Sequence, residues 1–199
     1  DFVQAKASIA GRMFERIAGR ASFSGTQRDG LVENTVSRTA VNDLSNLGVR
    51  GQLLFAPSDR LALNLAVDHT RQRPEGYTQV VAGVAPTLRN PNRQYTAIAT
   101  DLGYTAPSFN PYDRLTDVDS PLRSYQDLGG ATLTIDWKVG PGLLSASTAW
   151  RYWDWNPSND RDFLGLPITT ISAAPSKQRQ WTQEVRYAGS LSPRFDFVA

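Results

Sequence analysis

Cysteine is absent from the 199 residues, which excludes disulfide frameworks, thiolate metal sites and cysteine nucleophiles. Histidine occurs once, at His69. It sits beside Asp68 with no serine, cysteine or second histidine at a useful spacing, so a nucleophile–base triad lacks its members and no enzymatic activity is expected. Long apolar runs are missing as well. No stretch approaches the roughly 20 residues that a transmembrane helix needs. Nor is there an excess of one charge: 21 basic and 19 acidic residues leave a net charge of +2, and without a basic stripe nucleic acid is excluded as a partner. The first residues, Asp1-Phe2-Val3-Gln4, already alternate and form no signal peptide, so further chain is expected upstream.

What is present is period-two alternation in almost every segment, the signature of strands with one apolar and one wet face. Val3, Ala5, Ala7 and Ile9 oppose Gln4, Lys6 and Ser8. Ile17, Gly19, Ala21 and Phe23 oppose Arg20, Ser22 and Ser24. Leu61, Leu63, Leu65 and Val67 oppose Ala62, Asn64, Ala66 and Asp68, the cleanest dyad in the chain. The same pattern returns in Ala131, Leu133, Ile135 and Trp137, in Leu144, Ala146, Thr148, Trp150 and Tyr152, and in Trp181, Val185 and Tyr187. The expected strands are about 2–11, 17–32, 47–56, 61–72, 125–138, 143–155, 178–190 and 195–199, with long loops about 73–124 and 156–177.

The connections sort by length. Short turns fall near 12–16, 57–60, 139–142 and 191–194, and longer segments near 33–46, 73–124 and 156–177. Outer-membrane barrels place short turns on the periplasmic side and long loops outside, with strands of about 9 to 11 residues whose side chains alternate between lipid and lumen. A soluble β-sandwich gives no reason for such sorting. Phe55, Trp137 and Phe195 lie near short turns, while Trp150, Tyr152, Trp153, Trp155 and Trp181 lie toward the long loops, which implies two aromatic girdles. The fold class expected is therefore all-β: an antiparallel transmembrane β-barrel. Seven strands are complete and the eighth is short, and an open sheet edge in lipid leaves backbone groups unsatisfied, so these strands are read as part of a larger barrel.

The run from Asn46 to Leu61, NLGVRGQLLFAPSDRL, followed by Leu63-Asn64-Leu65-Ala66-Val67-Asp68, resembles the barrel of TonB-dependent outer-membrane receptors. So does Gln180-Trp181-Thr182-Gln183-Glu184-Val185-Arg186-Tyr187-Ala188 with Arg194-Phe195-Asp196-Phe197-Val198-Ala199. The resemblance implies a barrel of about 22 strands in the cell outer membrane of a Gram-negative bacterium. Its contacts would be membrane lipid and lipopolysaccharide. Its plug domain, which is not present in these residues, would be rearranged by TonB to admit a scarce nutrient of the iron-siderophore, cobalamin or glycan class. A structural or adhesive barrel without energised transport, and a soluble all-β glycan-binding or enzyme domain, are the competing readings.

Alternation points Arg20, Arg50, Asp68, Asp136, Lys138, Glu184 and Arg186 into the lumen or toward a plug. Solute contacts are expected on the loops, where Tyr77, Tyr95, Tyr104, Phe109, Tyr112 and Trp155 offer aromatic faces. Asp117 and Asp119, and Asp160 and Asp162, are oxygen pairs in two separate loops. Without the glycine and terminal glutamate of a calcium loop they read as turn-forming carboxylates rather than metal ligands. Nothing calls for a cofactor.

Overall fold

The computed structural model describes every residue of the chain except Pro193. The expected turn at Ser192-Pro193-Arg194 therefore lies partly outside the described residues. The long strands are β1 (Phe2–Phe14), β2 (Ile17–Arg28), β5 (Leu44–Ser58), β6 (Leu61–Gln72), β8 (Arg123–Val139), β9 (Gly142–Ser158), β10 (Ser176–Ser192) and β11 (Phe195–Val198). They form one antiparallel sheet in the order β1-β2-β5-β6-β8-β9-β10-β11. Each long strand pairs with the next in the chain, so the sheet is a simple meander. It is open, with β1 and β11 as its edges, and does not close into a barrel.

The ladders fix the faces. Leu53, Leu65 and Leu133 stand on one rung, as do Phe55, Leu63 and Ile135, and Gly51, Val67, Ala131, Trp150 and Trp181 on another. Gln52, Ala66 and Thr132 alternate with them on the opposite face. The apolar face is exposed: Ile9 at 76%, Trp181 at 72% and Val185 at 59% are extreme cases. Among the described residues no helix is long and apolar enough to cross a membrane, which says nothing of crossing by strands.

Three strands reach 17 residues, roughly 56 Å at 3.3 Å per residue. Several limits differ from expectation. The first turn is Glu15-Arg16 rather than 12–16, because β1 keeps its pairing through a register shift between Arg12 and Phe14. The second strand stops at Arg28 instead of 32, since Asp29 and Gly30 break the ladder and Val32 joins a different sheet. The expected loop 156–177 is shorter by three residues at its start and two at its end, because β9 and β10 continue.

All four short turns lie at one end of the sheet and the three long connections at the other. The long connections are not loose. Strands β3 (Val32–Asn34) and β4 (Thr39–Val41) form a hairpin, and β7 (Leu115–Thr116) pairs parallel to β3. The 73–122 connection also holds a short helix, α1 (Tyr95–Asp101), between two single 3-10 turns. These elements make a cap with its own small core. Val32, Val41, Ala106 and Val118 are buried there, together with Asn34, Thr78, Thr116, Asp117, Ser120 and Asp160. Burial of each valine contributes roughly 2 kcal/mol. Several polar members find partners inside it: the Asn34 amide donates to the Val118 carbonyl (2.9 Å), and Asn42 exchanges hydrogen bonds with the Thr78 backbone (2.7 and 3.1 Å), whereas Asp117 Oδ1 is buried without a partner.

Candidate binding surface on the polar face and its cap

All seven charged residues that alternation assigned to one face lie on the polar side of the sheet. At its centre the Arg151 guanidinium donates two hydrogen bonds to Asp68, at 2.7 and 2.9 Å, and Arg50 approaches the same carboxylate at 3.6 Å. Arg151 is on β9 and Asp68 on β6, with β8 between them. The pair spans that strand because the intervening residue on their rung is Gly130. A Cβ at Gly130 would overlap the Trp150 carbonyl oxygen and stand 2.9 Å from the Arg151 Cδ. Its neighbour Gly129 opens the same gap on the apolar face, where His69 Nδ1 and the Tyr152 hydroxyl meet at 2.6 Å across it. Two consecutive glycines thus let two pairs bridge β8, one on each face.

Elsewhere on the polar face Asp136 accepts from the Ser145 hydroxyl (2.6 Å), Arg186 shares that rung, and Arg20 donates to Ser8 (3.1 Å). Lys138 stands opposite Leu143 and Glu184 opposite Ser147. Across the strands this face carries Lys6, Arg12, Arg20, Arg28, Arg50, Lys138, Arg151 and Arg186 against Asp68, Asp136, Glu184 and Asp196, eight cations to four anions. The surplus draws anions to it.

Beyond Arg151, toward the cap, Trp153 and Trp155 share the polar face and stack with centroids 5.4 Å apart and planes 15° from parallel. Both indoles have partners: Trp153 donates to Gln126 (2.9 Å) and Trp155 to Ser124 (3.1 Å), and Gln126 donates in turn to Gln72 (3.0 Å). The two tryptophans are therefore not part of the aromatic girdle expected for them. Their odd numbering on β9 places them opposite to Trp150 and Tyr152, and that parity was available in the sequence.

Three of the aromatic loop candidates converge in the cap. Tyr95, Tyr104 and Phe109 line a cavity of about 380 Å³ with Thr96, Thr100 and Ala106, and the Tyr95 and Phe109 rings meet edge to face. Tyr104 donates to Asp117 (2.8 Å). Burial, then that hydrogen bond, pushes the Tyr104 phenol well above the ordinary range, and burial followed by the Asp117 charge raises Tyr95. Both stay neutral. Tyr77 and Tyr112 are exposed and do not line the cavity, and Trp155 belongs to the stacked pair instead.

The two aspartate pairs, expected in separate loops, are brought into one neighbourhood. Asp160 is fully buried and accepts from the backbone N–H groups of Asp162 (3.0 Å) and Phe163 (2.8 Å) in its own loop, and from Asp119 and Ser120 (3.3 and 3.4 Å) in the other. Asp162 accepts from Leu164 and Thr169. Asp119 is raised above the usual carboxylate range, first by burial and then by Asp160 and Asp162. These carboxylates organise turns and fasten one loop to the other.

Sequence reasoning missed Arg151 and Trp153, because each gains its role from a partner on another strand. The signal was Gly129-Gly130 in mid-strand, where two glycines weaken a ladder unless something must pass close by. Gly130→Ala is expected to cost about 2 kcal/mol by forcing Arg151 off Asp68, whereas Gly51→Ala, whose Cβ meets nothing within 4 Å, stays within about 0.5 kcal/mol. Urea unfolding midpoints of the two variants measure the difference, and equal midpoints would refute the window.

These features define a class: an all-β meander with one exposed apolar face, one polar face, and all its long connections gathered into a cap at one end. No protein-family model matches the sequence, and no curated protein does. Among solved structures the chain is similar to the ferric-catecholate import receptor Fiu from E. coli K12 in its closed form, with a TM-score of 0.62 and 10% identity over 96% of this chain. The match spans only 27% of that receptor's length, and it shows likeness of fold.

Proposed function

We propose that this chain is part of the wall of a TonB-dependent outer-membrane transport barrel that imports an anionic, aromatic-bearing iron chelate. The observation that carries the reading is the exposed apolar face, continuous over seven tall strands, with every long connection at one end. In water such a face is a liability far larger than ordinary surface patches. In lipid it is the required surface, and the opposite face then lines a wet interior. The short turns would face the periplasm and the cap would face outward. The fold likeness to an import receptor for ferric catecholates supports the same reading.

The solute class follows from the polar face. Eight cations against four anions favour an anion, and the Trp153–Trp155 stack above Arg151 and Arg50 offers π surface beside guanidinium charge. That pairing suits a catecholate-type chelate better than a neutral glycan or a cobalamin. The chain acts without catalysing a reaction. Its partners would be outer-membrane lipid and lipopolysaccharide, the barrel's own plug, and through the plug TonB.

The test is uptake of a radiolabelled ferric catecholate by iron-starved cells that carry the full-length protein as their sole receptor. Uptake is expected to stop when the proton gradient is collapsed. It should fall about thirtyfold in a Trp153→Ala, Trp155→Ala double variant, since each lost stacking contact weakens binding by about 1 kcal/mol. Uptake that survives collapse of the gradient would overturn energised transport. Import of cobalamin or a glycan in place of the chelate would overturn the solute class alone.

A further inference from the structure

On the apolar side of the sheet, at its cap end, a groove of about 500 Å³ runs over β1, β2, β5 and the end of β6. Its floor is apolar, with Val3, Ala5 and Leu47 around Gly25, and its upper wall is Arg71 and the following Arg73. Gly25 lies between Ala5 and Leu47 on one rung, and the Phe23 ring leans toward it, 3.3 Å from where a Cβ would stand, so the floor there is bare backbone beside an aromatic ring. The groove also marks an oblique boundary. On β1 and β5 the apolar residues continue to Val3 and Leu47, whereas on β6 they stop at Val67, and His69 and Arg71 follow on the same face. Apolar and charged surface therefore meet side by side across neighbouring strands.

The two arginines differ. Arg73 is held in place by Asp127 and by the carbonyls of Gln72 (2.7 Å) and Gln126 (2.8 Å), over the Tyr125 ring. Arg71 is exposed and, among the described residues, has neither an ion pair nor a side-chain hydrogen bond. The carboxylates nearby are otherwise engaged. Asp127, on the rung of Arg71, is taken by Arg73 and lies 3.8 Å from His69, and Asp43 accepts from the Glu75 amide (2.6 Å). Among the described residues no acidic side chain lines the groove.

We propose that this groove is a site for an anionic, phosphate-bearing membrane lipid. Its phosphate would sit on the Arg71 guanidinium with Arg73 behind it, and an acyl chain would lie over Leu47, Gly25 and Ala5. Guanidinium groups bind phosphate through paired charge-assisted hydrogen bonds, and basic pockets at the edge of an apolar face are where lipid headgroups are recognised. The inference rests on the membrane reading of the apolar face, and it adds a specific lipid site to it.

The experiment is native mass spectrometry of the full-length protein released from phosphatidylcholine vesicles doped with phosphatidic acid. The wild type is expected to retain phosphatidic acid. Arg71→Ala should retain about tenfold less, the loss of one charged hydrogen-bond partner, and Gly25→Leu, which fills the floor, should also retain less. Lys138→Ala, on the opposite face, should retain as much as the wild type. Excess inorganic phosphate should not displace the lipid. If the protein inserts and retains phosphatidic acid equally with and without Arg71, the lipid site is overturned while the membrane reading stands. Displacement by inorganic phosphate would make this a free-anion site and overturn the lipid. Failure of the wild type to enter vesicles at all would overturn the membrane reading instead.

Discussion

Asp160→Ala is expected to unfasten the cap while leaving the tall sheet intact. The Asp160 side chain is fully buried and serves backbone N–H groups on both sides of the contact between the 159–175 connection and the segment Asp119-Ser120. Alanine leaves those donors without their acceptor. A buried donor stripped of its partner costs about 1 to 3 kcal/mol. The two shorter bonds dominate, so a local loss on the order of 3 kcal/mol is expected from them together. Asp160→Asn should cost less, because its amide keeps one acceptor oxygen. Hydrogen exchange measures this directly: amides 119, 120, 162 and 163 should exchange at least a hundredfold faster in Asp160→Ala, while those in β5, β6 and β8 keep their protection. Unchanged exchange at the four amides would show that Ser120, whose hydroxyl donates to the Thr169 carbonyl, holds the loop alone.

Leu133→Arg and Leu63→Arg should each destabilise the membrane-inserted protein by about 2 to 4 kcal/mol, while Thr134→Arg and Asn64→Arg cost much less. Leu65 and Leu133 face each other on a mid-sheet rung of the apolar side, and Asn64 and Thr134 do so on the polar side. If the apolar face meets lipid, an arginine at mid-height must be desolvated or drag water and headgroups inward. An arginine at 134 finds a wet surface already lined by Ser147 and Asp136. The stabilities of the four variants, measured by denaturant titration in lipid vesicles, separate the two outcomes. Equal costs on the two faces would remove the basis for treating one as lipid-facing, and with it the transport proposal.

The alternation of Leu61, Leu63, Leu65 and Val67 against Ala62, Asn64, Ala66 and Asp68 needed no structure to be read. A strand has a period of two, and a sheet with two unlike solvents must keep it. The same regularity assigned Arg50 and Asp68 to one face. The cap was far less legible. Residues 73–122 carry no period, and their order comes from contacts that no local pattern encodes, such as Asn34 reaching Val118 across 84 positions. Asp117, Asp119, Asp160 and Asp162 read as two independent turns because the fold alone brings their loops together. Trp155 was singled out as a loop aromatic although it ends the expected strand 143–155, and it lies inside β9, stacked on Trp153.

By itself the sequence determined the tall strands, their two faces and the end at which each connection lies, since these depend on side-chain period and on where proline, glycine and asparagine interrupt it. The tertiary structure decided which residues meet across strands: Arg151 over Gly130 to Asp68, Trp153 on Trp155 beside Gln126, and Asp160 beneath Asp119. Cross-strand register and loop docking are long-range events. Their energy comes from partners distant in the chain, and it exists only once the strands are aligned.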